Sequence, residues 1–209
     1  MSEYKFTKDW FNWAPEVWTQ LIPLLPERKK FLEIGSFEGR SMAWIVENML
    51  ADDAGVASVV CIDTWEGGEE HGAENMDVVE TRFSHNRLHA QDKYWMRTKN
   101  DNAQSVVETV KGESSRVLPH ILVNWKGSVG SYDFIYIDGS HIAKDVLTDA
   151  CMAWPLLKSK GLMVFDDYMW GNPRDALHRP KIAIDAFTNI FAEEAEIIHV
   201  GYQLVARKK

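Results

Sequence analysis

Four residues stand where reactive chemistry is expected. Asp138 closes the apolar run Tyr132 to Asp138, Asp166 and Asp167 close the run Gly161 to Asp166, and His141 lies just after Asp138. If the two runs are neighbouring parallel strands, their acidic tips meet. Converging carboxylates repel unless they are protonated or bridged by a cation, and a hard divalent ion such as Mg²⁺ is the economical solution. A bound cation also lowers the pKa of a hydroxyl it touches by several units, which readies an oxygen nucleophile. The competing reading is that Asp166 and Asp167 only cap a strand and orient its loop. His141, with an ordinary pKa of about 6.5, suits proton removal at neutral pH. Its alternative role is to support its neighbours.

A second constellation lies upstream. A strand-like run leads into Glu33-Ile34-Gly35-Ser36-Phe37-Glu38-Gly39-Arg40-Ser41 and then a helical pattern. Small residues there let the backbone turn sharply against a ligand, and exposed amides at a helix start favour a carboxylate or phosphate. The spacing is Gly-x-x-x-Gly, not the Gly-x-Gly-x-x-Gly of dinucleotide sites, so there is less provision for a pyrophosphate. Asp63 ends the next strand, about 24 residues beyond Gly39, where an acid can accept ribose hydroxyls. After the third strand, Glu113 and Ser114 are placed either to meet a base edge or simply to make a turn.

These residues need a sheet to position them. Strand patterns fall at Lys30 to Ile34, Ser58 to Asp63, Val106 to Lys111, Tyr132 to Asp138 and Gly161 to Asp166, with helical patterns between them. Met42, Ile45, Val46, Met49 and Leu50 form one helical stripe, and Val146, Leu147, Ala150, Trp154 and Leu157 another, which Pro155 ends or kinks. Ile182 to Phe191 is a further amphipathic run, and Ile197 to Ala206 reads as two strands about a turn at Gly201. The expectation is an α/β fold: a doubly wound, mostly parallel seven-stranded sheet with a C-terminal antiparallel hairpin. Residues 1–29 read as a helical, aromatic-rich prefix of the single domain formed by 30–209. Residues 64–105 read as a polar, substrate-side insertion carrying His71, His85 and His89.

Taken together, the motifs resemble class I S-adenosylmethionine-dependent methyltransferases. The likeness is to the type with Glu-x-Gly-x-x-x-Gly-x-Ser in its first loop, here Glu33, Gly35, Gly39 and Ser41. It extends from about Asp9 to the C-terminus through Ile62-Asp63-Thr64-Trp65-Glu66-Gly67, Ile137-Asp138-Gly139-Ser140-His141 and Phe165-Asp166-Asp167-Tyr168. The resemblance implies a Rossmann-like fold. It also implies that Glu33, Gly35 and Ser41, with Ser36 and Gly39, hold the methionine end of the cofactor, and that Asp63 holds the ribose, with Trp65, Glu113, Ser114 and Asp138 completing the site. Catechol-type and macrolide or aminocoumarin sugar O-methyltransferases place metal ligands at the positions of Asp138, Asp166 and Asp167. Catechol-type enzymes carry Asn at the last of these, whereas this chain has Asp, as the sugar-modifying ones do. The sugar enzymes place a basic Asp where this chain has Ser140. Catechol-type enzymes use a Lys where it has His141, so His141 is the base implied.

The expected activity is therefore methyl transfer from S-adenosyl-L-methionine to a small molecule, with Mg²⁺, on a sugar or polyol hydroxyl. Trp10, Phe11, Trp13, Trp65, Trp170, Asp9 and His178 are candidates to line or cover the acceptor pocket, with ordinary half-buried packing as the alternative. A formal charge of -8 over 209 residues argues against a nucleic-acid acceptor. No run approaches the roughly 18 apolar residues that span a bilayer. The N-terminus lacks the apolar core of a secretory signal, and Cys61 and Cys151 lie in apolar segments, so both read as reduced thiols of a cytoplasmic protein. Enzymes of this type often pair as homodimers. The rivals are a nicotinamide-dependent oxidoreductase, a metal-dependent hydroxylase of the cephalosporin type and a non-catalytic binding module.

Overall fold

The structure, a computed structural model, describes residues 3–52, 57–68, 71–99 and 106–209. Its strands are β1 (Lys30–Ile34), β2 (Ser58–Asp63), β3 (Val107–Lys111), β4 (Tyr132–Ile137), β5 (Leu157–Phe165), β6 (Ala195–Val200) and β7 (Leu204–Lys208). They form a 7-stranded sheet in the order β3-β2-β1-β4-β5-β7-β6. The first five strands are parallel, and β7 runs antiparallel between β5 and β6. The α/β architecture and terminal hairpin expected from the sequence are both present. The ends of the parallel strands match expectation to within one residue except in β5, which begins at Leu157 and passes Lys160 in a left-handed conformation (φ 64°), and the hairpin extends two residues further at each end than expected.

Alternation along the strands divides the core in two. Phe31, Val59, Cys61, Phe134 and Tyr136 face one side, where α1 (Ala14–Leu21), α2 (Arg40–Trp44) and α3 (Met76–Thr98) cover them. Leu32, Ile34, Ile62, Ile135 and Ile137 face the other side, under α4 (Ser114–Asn124), α5 (Ala143–Ala153) and α6 (Lys181–Ile190). The predicted stripe Met42, Ile45, Val46, Met49 and Leu50 is wholly buried, although the helix loosens into a π-turn over Ile45–Met49. Pro155 ends α5 as expected, in a 3₁₀ turn over Trp154–Leu156.

Two segments differ from expectation. Within the polar 64–105 stretch, α3 is the crossover between β2 and β3, and Asn75 caps it through amides of Asp77 and Val78. Its inward stripe, Val79, Phe83, Ala90 and Tyr94, is interleaved with buried Asn86, His89 and Gln91, which hides the apolar periodicity in the sequence. The prefix is helical only from Ala14; residues 3–13 form an extended strap and a turn. In α1, fully buried Trp18 meets Phe134 and Tyr136 edge-on, at 5.1 and 4.8 Å between ring centroids.

Both cysteines are free thiols, and among the described residues no helix is long and apolar enough to cross a membrane. The end of the sheet away from the strand tips is pinned by Asp133, a buried carboxylate that accepts the Lys29 and Lys30 amides at 2.8 and 2.9 Å and Lys158 Nζ at 2.9 Å. Asp133→Ala strands two amides and leaves the partly buried Lys158 ammonium only its longer pairing with Glu27, at 3.3 Å. It is expected to cost about 3 kcal/mol, read as a lower urea midpoint at an unchanged slope.

Candidate active site

The strand order reverses between β1 and β4, and the crevice outside the carboxyl ends of these strands is where open α/β sheets bind ligands. A cavity of about 1120 Å³ opens there, bordered by the loops after β1, β2, β3, β4 and β5 and by Lys8 to Phe11 and Trp13 of the strap. Gly35 sets its floor. With φ at +83°, it lies so close to the next strand tip that an added Cβ would stand 2.0 Å from the Asp138 carbonyl oxygen. No other residue fits. Gly39 (φ +78°) turns the loop into α2, facing inward to Met42 and Phe83 instead of to the cavity.

The amides of this loop point differently from expectation. Ser36 and Phe37 donate to one oxygen of Asp63 at 2.7 and 2.9 Å, and Trp65 donates to the other at 2.7 Å. Asp63 therefore fastens the first loop to the tip of β2 while still bordering the cavity. Trp65 lies behind the loop: its indole donates to the Phe37 carbonyl at 2.9 Å, and its ring packs on Phe83. It is a buttress in the core, not a cavity wall.

Glu33 is completely buried beneath the loop. Ser36 Oγ donates to its Oε2 at 2.6 Å, while Oε1 has no donor in hydrogen-bond geometry among the described residues. Burial pushes its pKa up to about 7 against the pull of Ser36 and Ser41. Across the cavity, Ser114 begins α4 beside Glu113, and both border the space. Asp149, from α5, is buried beside Ser114, and burial raises its pKa to about 6.

At the other end the acids do converge, and the protein itself bridges them. The Tyr136 hydroxyl donates toward Asp138 Oδ2 at 3.0 Å and also contacts Asp166 Oδ2. Gln203 Nε2 donates to that same Asp166 oxygen at 3.1 Å, and the Asp167 amide donates to Asp166 Oδ1 at 2.8 Å. Asp167 accepts the Tyr202 hydroxyl at 2.8 Å through Oδ1 and pairs with His141 Nε2 at 2.6 Å through Oδ2. The His141 ring stacks on Trp170 at 4.0 Å. Asp138 is exposed to the open cavity, yet crowding by the surrounding protein, then the charges of Asp166 and Asp167, raise its pKa well above the carboxylate range. Burial and the Asp167 charge raise Asp166 to about 6. Among the described residues, no three His, Cys, Asp or Glu side chains are grouped so as to hold a metal ion.

Of the residues expected at the site, Gly35, Ser36, Ser41, Asp63, Glu113, Ser114, Asp138, His141, Asp166 and Asp167 border one cavity, and Glu33 lies beneath it. Trp10, Phe11, Trp13, Asp9, Trp170 and His178 join them at its mouth. His85 and His89 lie on α3 against the strap, at Glu3 and Tyr4, away from the strand tips. Tyr136, Gln203 and Tyr202 were not anticipated. Period-two alternation from Asp138 could have found Tyr136. Gln203 and Tyr202 arrive by the fold of the hairpin, which leaves no local signal.

A glycine loop pressed on the tip of β4, with acids at the neighbouring strand ends, defines an α/β enzyme of the doubly wound, nucleotide-site class. The chain matches the model of a family described as a methyltransferase domain over residues 32–168, and it belongs to that family. No curated protein sequence matches it. Solved structures with a similar fold include CalS11, described as a TDP-rhamnose 3'-O-methyltransferase of calicheamicin biosynthesis (TM-score 0.67, 12% identity, 95% of this chain and 81% of that one). TomG, an O-methyltransferase from Streptomyces achromogenes in complex with S-adenosylmethionine, is another (0.64, 20%, 94% and 80%). A third is the methyltransferase MycE of mycinamycin biosynthesis, with Mg and S-adenosylhomocysteine (0.56, 18%, 98% and 51%).

The buried acids give the free protein a signature in pH. Between their ordinary pKa values and the raised ones, the folded state keeps protons that the unfolded chain has released. Glu33, at about 7 against 4.5 unfolded, and Asp166, at about 6 against 3.8, therefore make stability fall as pH rises through about 4 to 7. Glu33→Gln is expected to gain stability relative to the parent between pH 5 and pH 8, by up to about 3 kcal/mol, measured by urea unfolding at both pH values. A constant difference would show that Glu33 ionises normally in the fold.

Proposed function

We propose that this methyltransferase uses S-adenosyl-L-methionine to methylate a hydroxyl oxygen of a small molecule of sugar or polyol type. One observation carries the reading: the glycine loop over Glu33 and the pair His141–Asp167 border the same cavity, joined at its floor by the Gly35–Asp138 contact. The cofactor supplies an electrophilic sulfonium methyl. Glu33 Oε1, buried without a donor, suits the ammonium of its amino-acid end, and Ser36 and Ser41 border the same corner. Asp63 retains accepting capacity for ribose hydroxyls beyond its three amide bonds, and Glu113 and Ser114 lie where the base edge is expected. Asp63 at the cavity wall favours a cationic ligand.

On the acceptor side, the chain orients, excludes water and takes a proton. Trp10, Trp13 and Trp170 are rigid walls at the mouth, and aromatic faces interleaved with polar groups suit a sugar ring. His141 is the base: Asp167 accepts from its Nε2–H and Trp170 holds its ring plane, so the proton of the acceptor hydroxyl passes to Nδ1, which is buried in the free protein and has to be uncovered to the acceptor. Holding acceptor oxygen and methyl carbon in line can contribute roughly 7 to 11 kcal/mol through orientation alone. Mg²⁺ is the finer question. The donor chemistry of Asp138, Asp166 and Asp167 suits a hard ion. Yet among the described residues these carboxylates are turned to Tyr136, Gln203, Tyr202 and His141 and are not grouped about one point, so as arranged they do not fit the ion and no step runs through it.

Calorimetry is expected to show binding of S-adenosylhomocysteine and none of NAD; a protein that binds neither sinks the reading. Because the ammonium needs ionised Glu33, binding is expected to release a proton below pH 7, to tighten there by up to tenfold per unit as pH rises, and to level off above about pH 7. His141→Ala is expected to lose about 10²- to 10⁴-fold in transfer of labelled methyl to a sugar and polyol library at unchanged cofactor affinity. Full turnover in that variant would remove His141 from the chemistry.

A further inference from the structure

The strap of residues 3–13 is bolted to the cofactor loop by a residue inside the glycine motif itself. Glu38 is 2% exposed, and its carboxylate accepts the Thr7 amide at 2.6 Å, Thr7 Oγ1 at 2.7 Å and Arg82 Nη1, from α3, at 2.9 Å. Asn86, fully buried on α3, completes the bolt. Its Oδ1 accepts the Lys5 amide at 2.7 Å, and its Nδ2 donates to the carbonyls of Lys5 and Glu38 at 3.0 and 2.8 Å. On the loop's far side, Arg40 reaches Asn12 at 3.1 Å and Asp9 at 3.2 Å and covers the Phe6 ring at 4.6 Å.

A buried carboxylate is costly unless its oxygens are satisfied, and Thr7 provides two of the three donors that Glu38 receives. The present form of the loop therefore depends on the docked strap, and the docked strap depends on the loop. Downstream of Thr7, the strap carries Trp10, which packs on Phe37 at 5.1 Å, together with Phe11 and Trp13, into the wall of the cavity. We infer that Glu38 is a positioning residue that couples cofactor occupancy of the loop to docking of residues 3–13 over the acceptor side. The inference rests on the proposed cofactor. A ligand that holds Gly35 to Ser41 in this form also holds the strap, so the acceptor wall is completed when the cofactor is in place. Linkage makes the effect reciprocal: the factor by which the cofactor favours docking is the factor by which docking tightens the cofactor.

The strap contains two tryptic sites, Lys5 and Lys8, so the coupling can be measured on the whole chain with S-adenosylhomocysteine as the only probe. Saturating S-adenosylhomocysteine is expected to slow cleavage after Lys5 and Lys8 by at least about fivefold. Thr7→Val removes one donor to Glu38 at an exposed position. It is expected to lose that protection and to bind S-adenosylhomocysteine more weakly by the factor measured as protection in the parent, while Thr7→Ser keeps both. This equality is what linkage demands, and a merely structural strap would not produce it. Binding of S-adenosylhomocysteine with no change in cleavage, or a Thr7→Val variant with parental affinity, overturns the coupling and leaves the proposed cofactor standing. Failure of the parent to bind S-adenosylhomocysteine at all overturns both.

Discussion

The structure depends on one close approach, that of the first loop to the tip of β4. At Gly35 the loop backbone comes so near Asp138 that a single added carbon would collide with the carbonyl oxygen. Because the chain leaves β1 toward one neighbour and returns through β4 on the other, this contact lies where the strand order reverses. It makes one cavity out of two halves, a loop half proposed to hold the adenosyl amino acid and a carboxylate half proposed to take the proton. Move the loop outward by the width of a methyl group and the two halves no longer share a floor.

Charge is the second constraint. Glu33, Asp149 and Asp166 are pushed upward by burial, and Asp138 by the protein crowded around it. A chain already carrying -8 gives most of the acids at this end of the sheet a specific partner. Ser36 serves Glu33, Tyr136 stands between Asp138 and Asp166, and His141 with Tyr202 serves Asp167. Acids held this way are costly to ionise in the free protein, which is how sites keep binding energy in reserve for a cationic ligand. Tyr136 and Gln203 also tie the site to the prefix, since Gln203 accepts from the Trp18 indole at 2.8 Å while donating to Asp166.

Most of the sheet was legible because strands buried on both faces must be apolar throughout and must stop at turn residues. The stripe from Met42 to Leu50 was legible for the same reason: one face of a helix against the core leaves a periodic trace. The crossover helix α3 was not, because it buries Asn86, His89 and Gln91 among its apolar residues, and so reads as a polar loop. Trp65 was misplaced because a tryptophan after a binding acid looks the same in sequence whether it faces the ligand or supports the loop from behind. Its hydrogen bond to Phe37 decides that.

The order of types along the chain thus determined the fold class, the glycine turn and the acids at the strand tips, since each rests on local conformational preference or on periodic burial. Only the tertiary structure decided what those acids do with one another. Tyr136 stands between Asp138 and Asp166, Gln203 reaches Asp166 from a hairpin about 40 residues downstream, and Glu38 turns away from the cavity to grip Thr7. Such partnerships depend on distances of a few ångströms between segments remote in sequence, and spacing along one chain does not encode them.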